Sequence, residues 1–379
     1  MVKSFYLDSA SSTPIDENIL KIYNKSLKEI YANPSSIHHL GEKARKALQE
    51  ARKKVARILQ SRPEEVIFTS GGTESNNLAI QGIAMANKSK GNHIITSKIE
   101  HPSVYETCKF LEGQGFQVTY LDVDNFGMVN LQQLKESIKA STILISVIYA
   151  NNEIGAIQHI KEISKIAREN KIPFHTDACQ APGYLNLNIN SLGADLMTLN
   201  SSKINAPKGS GVLYKKNSIN LHPLFHGGKQ EYGLRAGTEN LPAIIAFAEA
   251  LEQADKNKEK NIKLITDLRD HFISELTELK GKLNGHPFQR LPNNINITLP
   301  KTDSESLLIH LSEKGIYCSQ GSACDANKDS KHVLKAIDLS DKEINSTLRF
   351  TLSKHTTKKD IDKTIKEISS YIQSRVIIK

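Results

Sequence analysis

Short apolar runs alternate with amphipathic segments through the middle of the chain, and this alternation limits the fold more than any other feature. The apolar runs predict strands at 65–69, 93–97, 117–121, 142–149, 173–176, 195–199 and 211–214. Helical periodicity predicts helices at 73–85 and 160–170 between them. The run at 142–149 is rich in Ile, Val and Leu, as expected of a parallel strand buried on both faces. The pattern therefore predicts an α/β protein with a mostly parallel sheet covered by helices.

The sequence changes character after these strands. Residues 241–283 are helical and highly charged, which is typical of a long connecting segment. Beyond them, strands are predicted at 294–299, 315–319 and 347–352, with helices between. A chain of 379 residues is long enough for two or three domains. We expect a large domain at 15–255 and a smaller α+β domain formed by 1–14 together with 256–379.

Charge and composition exclude several classes of protein. The chain is 39% hydrophobic and 24% charged, which excludes collagen-like, coiled-coil and disordered chains. Its 50 Lys and Arg exceed its 41 Asp and Glu, giving +9, and this excess would suit nucleic acid or an anionic cofactor. The basic residues occur in mixed runs such as 256–263, which favours solvated helix faces. We therefore expect no direct binding of nucleic acid.

The cysteines and the amino terminus indicate the compartment. Cys108, Cys179, Cys318 and Cys324 form no CxxC pair, so neither a disulfide framework nor a structural zinc site is expected. The first residues lack a signal-peptide pattern, and no run of about 18 apolar residues could span a membrane. The sequence therefore predicts a soluble cytoplasmic protein with reduced thiols, without a metal site or a membrane partner.

Polar residues directly follow four of the predicted strands, where the sheet edge of a parallel α/β protein binds ligands. These segments are Ser70-Gly-Gly-Thr-Glu74, Ala150-Asn-Asn-Glu153, Asp177-Ala-Cys-Gln180 and Asn200-Ser-Ser-Lys203. Two glycines and a hydroxyl that open a helix suit a phosphate, because a helix start offers N–H groups and a positive dipole end. Each segment taken alone is also compatible with an ordinary helix cap or a surface lysine.

Together the four segments place a phosphate site, a carboxylate, an amide and a lysine at one edge of one sheet. Pyridoxal phosphate needs this set, because a lysine binds it as a Schiff base and a carboxylate keeps its ring nitrogen protonated. We therefore predict pyridoxal 5'-phosphate as the cofactor. A P-loop NTPase is excluded because Gly71-Gly72-Thr73 is not followed by Gly-Lys-Ser/Thr, and no HExxH motif supports a metalloenzyme.

Ordered motifs along nearly the whole chain resemble those of the group I (NifS/IscS-type) cysteine desulfurases, which are class V aminotransferases of pyridoxal-phosphate fold type I. The motifs are Tyr6-Leu-Asp8 with Ala10, Asn33-Pro-Ser-Ser36 with His38, Ser70-Gly-Gly-Thr-Glu-Ser-Asn-Asn77, Glu100-His101-Pro102, Asn151-Asn-Glu-Ile-Gly155, His175-Thr-Asp177, Pro207-Lys-Gly209, Gly227-Gly228, Arg235-Ala-Gly-Thr-Glu-Asn240, Gly321-Ser-Ala-Cys324 and Leu348-Arg-Phe350. So many matches in order are far more specific than any one motif.

The resemblance implies a role for each residue of the predicted cofactor site. Lys203 would form the Schiff base, Asp177 would contact the ring nitrogen, and Gln180 would contact the phenolic oxygen. His101 would stack over the ring and take part in proton transfer. The other implied cofactor contacts are Gly72 and Thr73 at the phosphate, together with Asn152, Asn200 and Ser202.

Two further residues extend the resemblance to the substrate and to a second subunit. Arg349 would form a bidentate pair with the substrate carboxylate, for which a planar guanidinium is suited. Thr238 would reach a phosphate in the partner subunit, which implies a homodimer with shared active sites. Asn152 would also contact the substrate.

Cys324 determines the reaction that the resemblance implies. It lies in a run of small and polar residues at 319–327, which predicts a mobile loop carrying an exposed nucleophile. Cys318 follows an apolar strand and is expected to be buried and inert. The implied reaction converts L-cysteine to L-alanine and leaves a persulfide on Cys324. An iron–sulfur scaffold, a tRNA thiolation factor or a DNA sulfur-modification system could then accept the sulfur.

The chain departs from the family pattern at two places. Ser201-Ser202 stands where the family usually has a small residue and then His, and Asn200 stands where Ser is common. Lys229 adds a charge close to the predicted cofactor site. No catalytic group is lost, so we expect activity. The alternatives are a selenocysteine lyase, another class V lyase, or a scaffold or sulfur-relay protein with little turnover.

Overall fold

The computed structural model describes residues 4–320 and 331–376, and in them it has three sheets. The strands are β1 Phe5–Tyr6, β2 Val66–Thr69, β3 His93–Ser97, β4 Gln117–Leu121, β5 Thr142–Ser146, β6 Phe174–Asp177, β7 Leu196–Asn200, β8 Gly211–Lys215, β9 Lys282–Leu283, β10 Asn294–Thr298, β11 Ile316–Tyr317 and β12 Thr347–Thr351. The largest sheet has the order β2-β8-β7-β6-β5-β3-β4.

The seven-stranded sheet is mostly parallel, as predicted. Strands β4, β3, β5, β6 and β7 pair in parallel with their neighbours, and only β8 runs the other way, between β7 and β2. Six strands therefore end at the same edge, which brings the four polar segments together. The strand predicted at 142–149 is regular only to Ser146, but the N–H groups of Val147 and Tyr149 still donate to carbonyls of the β6 strand.

Helices connect the strands and cover the sheet. They are α1 Glu17–Glu29, α2 His39–Leu59, α3 Gly72–Ala86, α4 Pro102–Gly113, α5 Leu131–Ser137, α6 Ile160–Glu169, α7 Ile189–Leu192, α8 Leu241–Lys256, α9 Lys258–Glu278, α10 Ser304–Glu313, α11 His332–Ala336, α12 Asp341–Ile344 and α13 Lys358–Val376. The predicted helical segment 241–283 is interrupted, because α8 ends at Lys256 and α9 begins at Lys258. The last two residues of the segment form β9.

Alternate residues of each strand enter two different cores. Phe68 and Ile95 pack in the core beneath α2, α6 and α8, whereas their neighbours Ile67 and Ile94 pack beneath α3 and α4. This separation follows from the period of two in a strand, which points successive side chains to opposite faces. The sheet therefore packs against a core on each of its faces, and the polar segments lie at the strand ends.

The two ends of the chain meet in a separate core. Strand β10 pairs antiparallel with β12 and β9, while β1 pairs in parallel with β11. Phe5 packs there with Phe272 and Phe350, whose rings are 5.0 Å apart. Strand β1 thus belongs to the same core as the later strands, and the division into two domains at 14 and 255 stays a prediction. Within the described ranges, none of the helices has the length and apolar character needed to cross a membrane.

Candidate active site

A cavity of about 340 Å³ opens at the carboxyl edge of the large sheet. The sequence-predicted residues that line it are Gly72, Thr73, His101, Asn152, Asp177, Gln180, Asn200, Ser202, Lys203 and Arg349. Ser11, Asn76, Ser103, Cys179 and Lys208 line it as well, although they were not among the predicted site residues. Thr238 is exposed and is not among the lining residues of its own chain. Cys324 lies outside the described residues.

The start of α3 forms one wall of the cavity. No described side chain caps this helix, so the N–H groups of its first turn remain available to an anion. Gly72 brings the backbone close to the opposite wall, because a Cβ at this position would lie 2.8 Å from Cys179 Sγ. The local geometry therefore provides a site for a phosphate that a larger residue would narrow.

Asp177 ends β6 and is held by two N–H donors. The Cys179 backbone N–H donates to Oδ1 at 2.9 Å, and Asn76 Nδ2 donates to Oδ2 at 2.7 Å. Asp177 and Asn76 are both buried. Sequence patterns missed Asn76 because a polar residue inside a helix ordinarily faces solvent, and nothing local indicated that α3 turns it toward β6.

Lys203 lies in the turn after β7 and contacts the amino-terminal segment. Its Nζ donates to the backbone oxygens of Ala10 at 2.8 Å and Ser11 at 2.6 Å. Gln180 Nε2 donates to the same Ala10 oxygen at 3.1 Å. The segment around Ala10 thus forms a wall of the cavity through backbone carbonyls, which residue types alone do not reveal.

The departures from the family pattern lie at different distances from the cavity. Asn200 and Ser202 line it, and Asn200 Oδ1 accepts the Ser202 N–H at 3.4 Å, so both remain beside the start of α3. Ser201 is instead buried, where its hydroxyl donates to Pro207. Lys229 is exposed and is not among the residues lining the cavity, so its charge does not enter the site of its own chain.

Arg349 is fully buried on β12 and lines the cavity. Its Nη2 donates to Asp8 Oδ1 and to Ser11 Oγ, both at 2.7 Å, and its Nη1 donates to the Asn152 backbone oxygen at 3.1 Å. Its Nε has no hydrogen-bond partner among the described residues. The guanidinium is therefore oriented before any substrate arrives, and Asp8 already supplies one carboxylate oxygen to it.

His101 precedes the first residue of α4 and caps the helix. Its Nδ1 accepts the Ser103 backbone N–H at 3.1 Å and lies 2.8 Å from the Ser103 hydroxyl. The preceding Glu100 is buried behind it, where one oxygen accepts the Ile148 N–H at 2.9 Å. Burial raises the pKa of Glu100 to about 8, although its hydrogen bonds oppose this shift.

None of the three cysteines in the described ranges has thiolate character. Burial raises the pKa of Cys108 and that of Cys179, and the Asp177 charge adds to the shift at Cys179. Cys318 is only partly buried, whereas the sequence predicts a buried residue. Desolvation nevertheless raises its pKa to about 12. All three are poor nucleophiles.

The family model for the class V aminotransferases matches residues 5–364. The chain belongs to this family. As a class V aminotransferase it is 46% identical to the cysteine desulfurase IscS of Dictyoglomus turgidum over 376 residues, which cover 98% of this chain and 95% of that protein. It is also 45% identical to the cysteine desulfurase IscS of Methanosarcina thermophila, over 98% of this chain and 92% of that protein.

Solved structures share the fold of this class V aminotransferase. A NifS-like protein superposes with a TM-score of 0.93 at 33% identity, covering 98% of this chain and all of that one. The structure of SspA in complex with cysteine superposes with a TM-score of 0.82 at 36% identity, covering 94% of this chain and all of SspA. The predicted fold class and family resemblance are thereby confirmed.

Proposed function

We propose that this chain is a cysteine desulfurase that uses pyridoxal phosphate to convert L-cysteine to L-alanine and transfers the sulfur to Cys324. One observation carries the proposal: Lys203, Asp177 and the uncapped start of α3 line the same cavity. The curated relatives named as cysteine desulfurases and the cysteine complex of SspA support L-cysteine as the substrate.

The residues present fit pyridoxal phosphate. The first-turn N–H groups at Gly72 and Thr73 would hold its phosphate, and the Asp177 carboxylate would hold its ring nitrogen. Gln180 would contact the phenolic oxygen, and His101 would lie over the ring. When bound, the cofactor withdraws electrons from the substrate Cα and weakens the Cβ–S bond.

The protein groups have separable tasks. Lys203 would hold the cofactor covalently and, once released, would take the proton from the substrate Cα, for which its Nζ must leave the carbonyls of Ala10 and Ser11. Arg349 would hold the substrate carboxylate. The Asn152 side chain lines the cavity beside them, and its backbone oxygen helps fix the Arg349 guanidinium.

The proposal includes a second copy of the chain and an acceptor. Thr238 would contact the cofactor phosphate of the partner subunit in a homodimer, which agrees with its exposure and its position outside its own cavity. A sulfur-acceptor protein, such as an iron–sulfur scaffold or a tRNA thiolation factor, would take the persulfide sulfur from Cys324. We propose that the enzyme is cytoplasmic, because its four cysteines form neither a CxxC pair nor a disulfide framework, as expected of reduced thiols.

Two lysine variants test the proposed cofactor site. Lys203→Ala should abolish both the visible absorption of the lysine-bound cofactor and the production of alanine from cysteine. Lys161→Ala, which removes an exposed lysine of α6 that does not line the cavity, is the matched control and should behave as wild type. Alanine formed at the wild-type rate by Lys203→Ala would refute the assignment. Selenocysteine offered in place of cysteine distinguishes the selenocysteine lyase alternative.

A pair of cysteine variants tests the sulfur carrier. Cys324→Ser should still bind the cofactor but transfer no sulfur, whereas Cys318→Ala should remain active and lose at most about 2 kcal/mol of stability. Mass spectrometry after addition of cysteine should locate the extra sulfur on the peptide that contains Cys324. Sulfur found on Cys179 or Cys318 instead would contradict this part of the proposal.

A further inference from the structure

We propose that Ser103 and Asn76 are positioning residues that connect Asp177 to His101 and fix His101 as the tautomer carrying its proton on Nε2. This inference rests on the proposed function for its catalytic consequence, but its geometry is independent of turnover. Asn76 lies on α3, Ser103 on α4 and Asp177 at the end of β6, and His101 directly precedes α4. All four line the cavity.

The tautomer follows from the cap of α4. Pro102 occupies the first helical position and has no N–H, so the Ser103 N–H is the first backbone donor of this helix. It donates to His101 Nδ1 at 3.1 Å, and a nitrogen that accepts a hydrogen bond carries no proton. The imidazole is therefore neutral with its proton on Nε2. An imidazolium could not accept this bond.

The Ser103 hydroxyl also holds this tautomer, because its oxygen already accepts a hydrogen bond from Asn76. Asn76 Nδ2 lies 2.8 Å from Ser103 Oγ and 2.7 Å from Asp177 Oδ2. A carboxylate only accepts hydrogen bonds, so the Asn76 amide must present its NH₂ group to both oxygens. The Ser103 hydroxyl proton is then left to donate to His101 Nδ1, 2.8 Å away, where it shares the single lone pair of this nitrogen with the Ser103 N–H.

The resulting chain of donors runs in one direction, from the Asn76 amide to Ser103 and on to His101. The same amide orients the carboxylate that would hold the cofactor ring nitrogen, while the hydroxyl orients the imidazole that would lie over the ring. Asn76 and Ser103 are at most 9% exposed, so water does not substitute readily for either group. His101 would consequently meet the reacting groups as a proton donor through Nε2.

The tautomer can be measured directly from the ¹⁵N NMR shifts of the His101 ring in the purified full-length protein, with and without pyridoxal phosphate. The wild type should show an unprotonated Nδ1 and a protonated Nε2. Ser103→Ala should shift the Nδ1 signal and lower kcat about 3- to 10-fold with KM unchanged, which corresponds to one lost hydrogen bond. Ser103→Thr keeps the hydroxyl and should restore both values.

Asn76→Leu tests the longer connection. This side chain makes no hydrogen bond to His101, so a shifted His101 Nδ1 signal in the variant would be transmitted through Ser103. Asn76→Ala, which only shortens the side chain, serves if the leucine variant does not fold. Thr107→Val is the structural control, because the Thr107 hydroxyl donates to the Ser103 backbone oxygen at 2.8 Å but lies outside the chain of donors. It should leave the His101 signals unchanged.

Three results would overturn the inference: a proton on Nδ1 in the wild type, wild-type His101 signals in both Ser103→Ala and the Asn76 variant, or equal losses of kcat in Ser103→Ala and Ser103→Thr. Failure of the proposed function would look different. In that case wild-type protein would form no alanine from cysteine, while the His101 signals would still respond to the variants.

Discussion

Gly72→Ala tests whether the close approach of α3 to the cavity wall is required. The added Cβ would lie 2.8 Å from Cys179 Sγ and 3.5 Å from Asn200 Cβ, so only the sulfur contact is too short. Overpacking of this kind costs about 1–3 kcal/mol, and the low end applies because a thiol can rotate about one bond. A small gain in helix propensity from Gly to Ala offsets part of this cost. We expect a net loss of about 1 kcal/mol.

The loss should appear in cofactor affinity as well as in stability, because the displaced sulfur borders the proposed phosphate site. A 1 kcal/mol loss expressed wholly in binding raises the Kd for pyridoxal phosphate roughly 5-fold. The assay is an absorbance titration of the apoprotein with the cofactor, combined with urea unfolding of the same samples.

Two further variants isolate the cause. Cys179→Ala removes the sulfur, so the double variant Gly72→Ala/Cys179→Ala should recover most of the loss shown by Gly72→Ala. Gly113→Ala is the matched control at the end of α4, where a Cβ would meet nothing within 4 Å, and it should not destabilise the protein. Equal behaviour of the two glycine variants, or a double variant no better than Gly72→Ala alone, would refute the steric argument.

Three other predictions concern buried charge. Asp177→Ala should retain some cofactor but lower turnover on the order of 10²- to 10³-fold in the alanine assay, because the ring nitrogen would lose its counter-charge. The folded-state pKa of Glu100 is about 8, above its unfolded value of 4.5, so its contribution to stability is present below pH 4.5 and is lost as pH rises through 8. Urea unfolding of Glu100→Gln should therefore show a smaller fall in stability between these pH values than wild type. Arg52→Met should cost about 3–5 kcal/mol in the same assay, because it leaves the Glu231 carboxylate buried without the two hydrogen bonds of 2.7 and 2.6 Å that Arg52 donates.

Most of the residues that line the cavity could be located from the sequence, for a physical reason. Parallel strands end at one edge, so a residue such as Asp177 or Lys203 is placed as soon as its strand is recognised. This inference needs only local periodicity and one rule of topology. It places residues on an edge without requiring knowledge of which helix or terminal segment packs over them.

The residues that were missed depend on contacts between distant elements. Ala10 contributes only a backbone oxygen, so its residue type carries no chemical signal even though its segment was part of a recognised motif. Ser103 resembles an ordinary polar residue at a helix start, and Asn76 resembles a solvated helix position. Their roles arise where α3 and α4 approach β6, and that geometry follows from packing across the sheet.

The dependence on contacts between distant elements also explains which secondary-structure predictions are accurate and which are not. The strand at His93–Ser97 was predicted to the residue because both of its faces are apolar. The segment 241–283 was predicted as one helical region, because charged residues continue through the break at Asn257. The last two residues of the segment form β9 and pair with β10. A strand of two residues is too short to show the alternation by which strands are recognised in a sequence.

The position of the amino-terminal segment has a consequence for the order of events during synthesis. Lys203 contacts Ala10 across 193 positions of sequence, and Arg349 contacts Asp8 across 341. Strand β1 also has no partner until β11 exists. Contacts of such long range form slowly, and the contact between Arg349 and Asp8 cannot form before Arg349 has left the ribosome. The seven-stranded sheet can assemble earlier, but the segment around Ala10 is fixed beside Lys203 only after β1 has paired with β11. Binding of the proposed cofactor at this site would therefore follow the synthesis of β11 and β12.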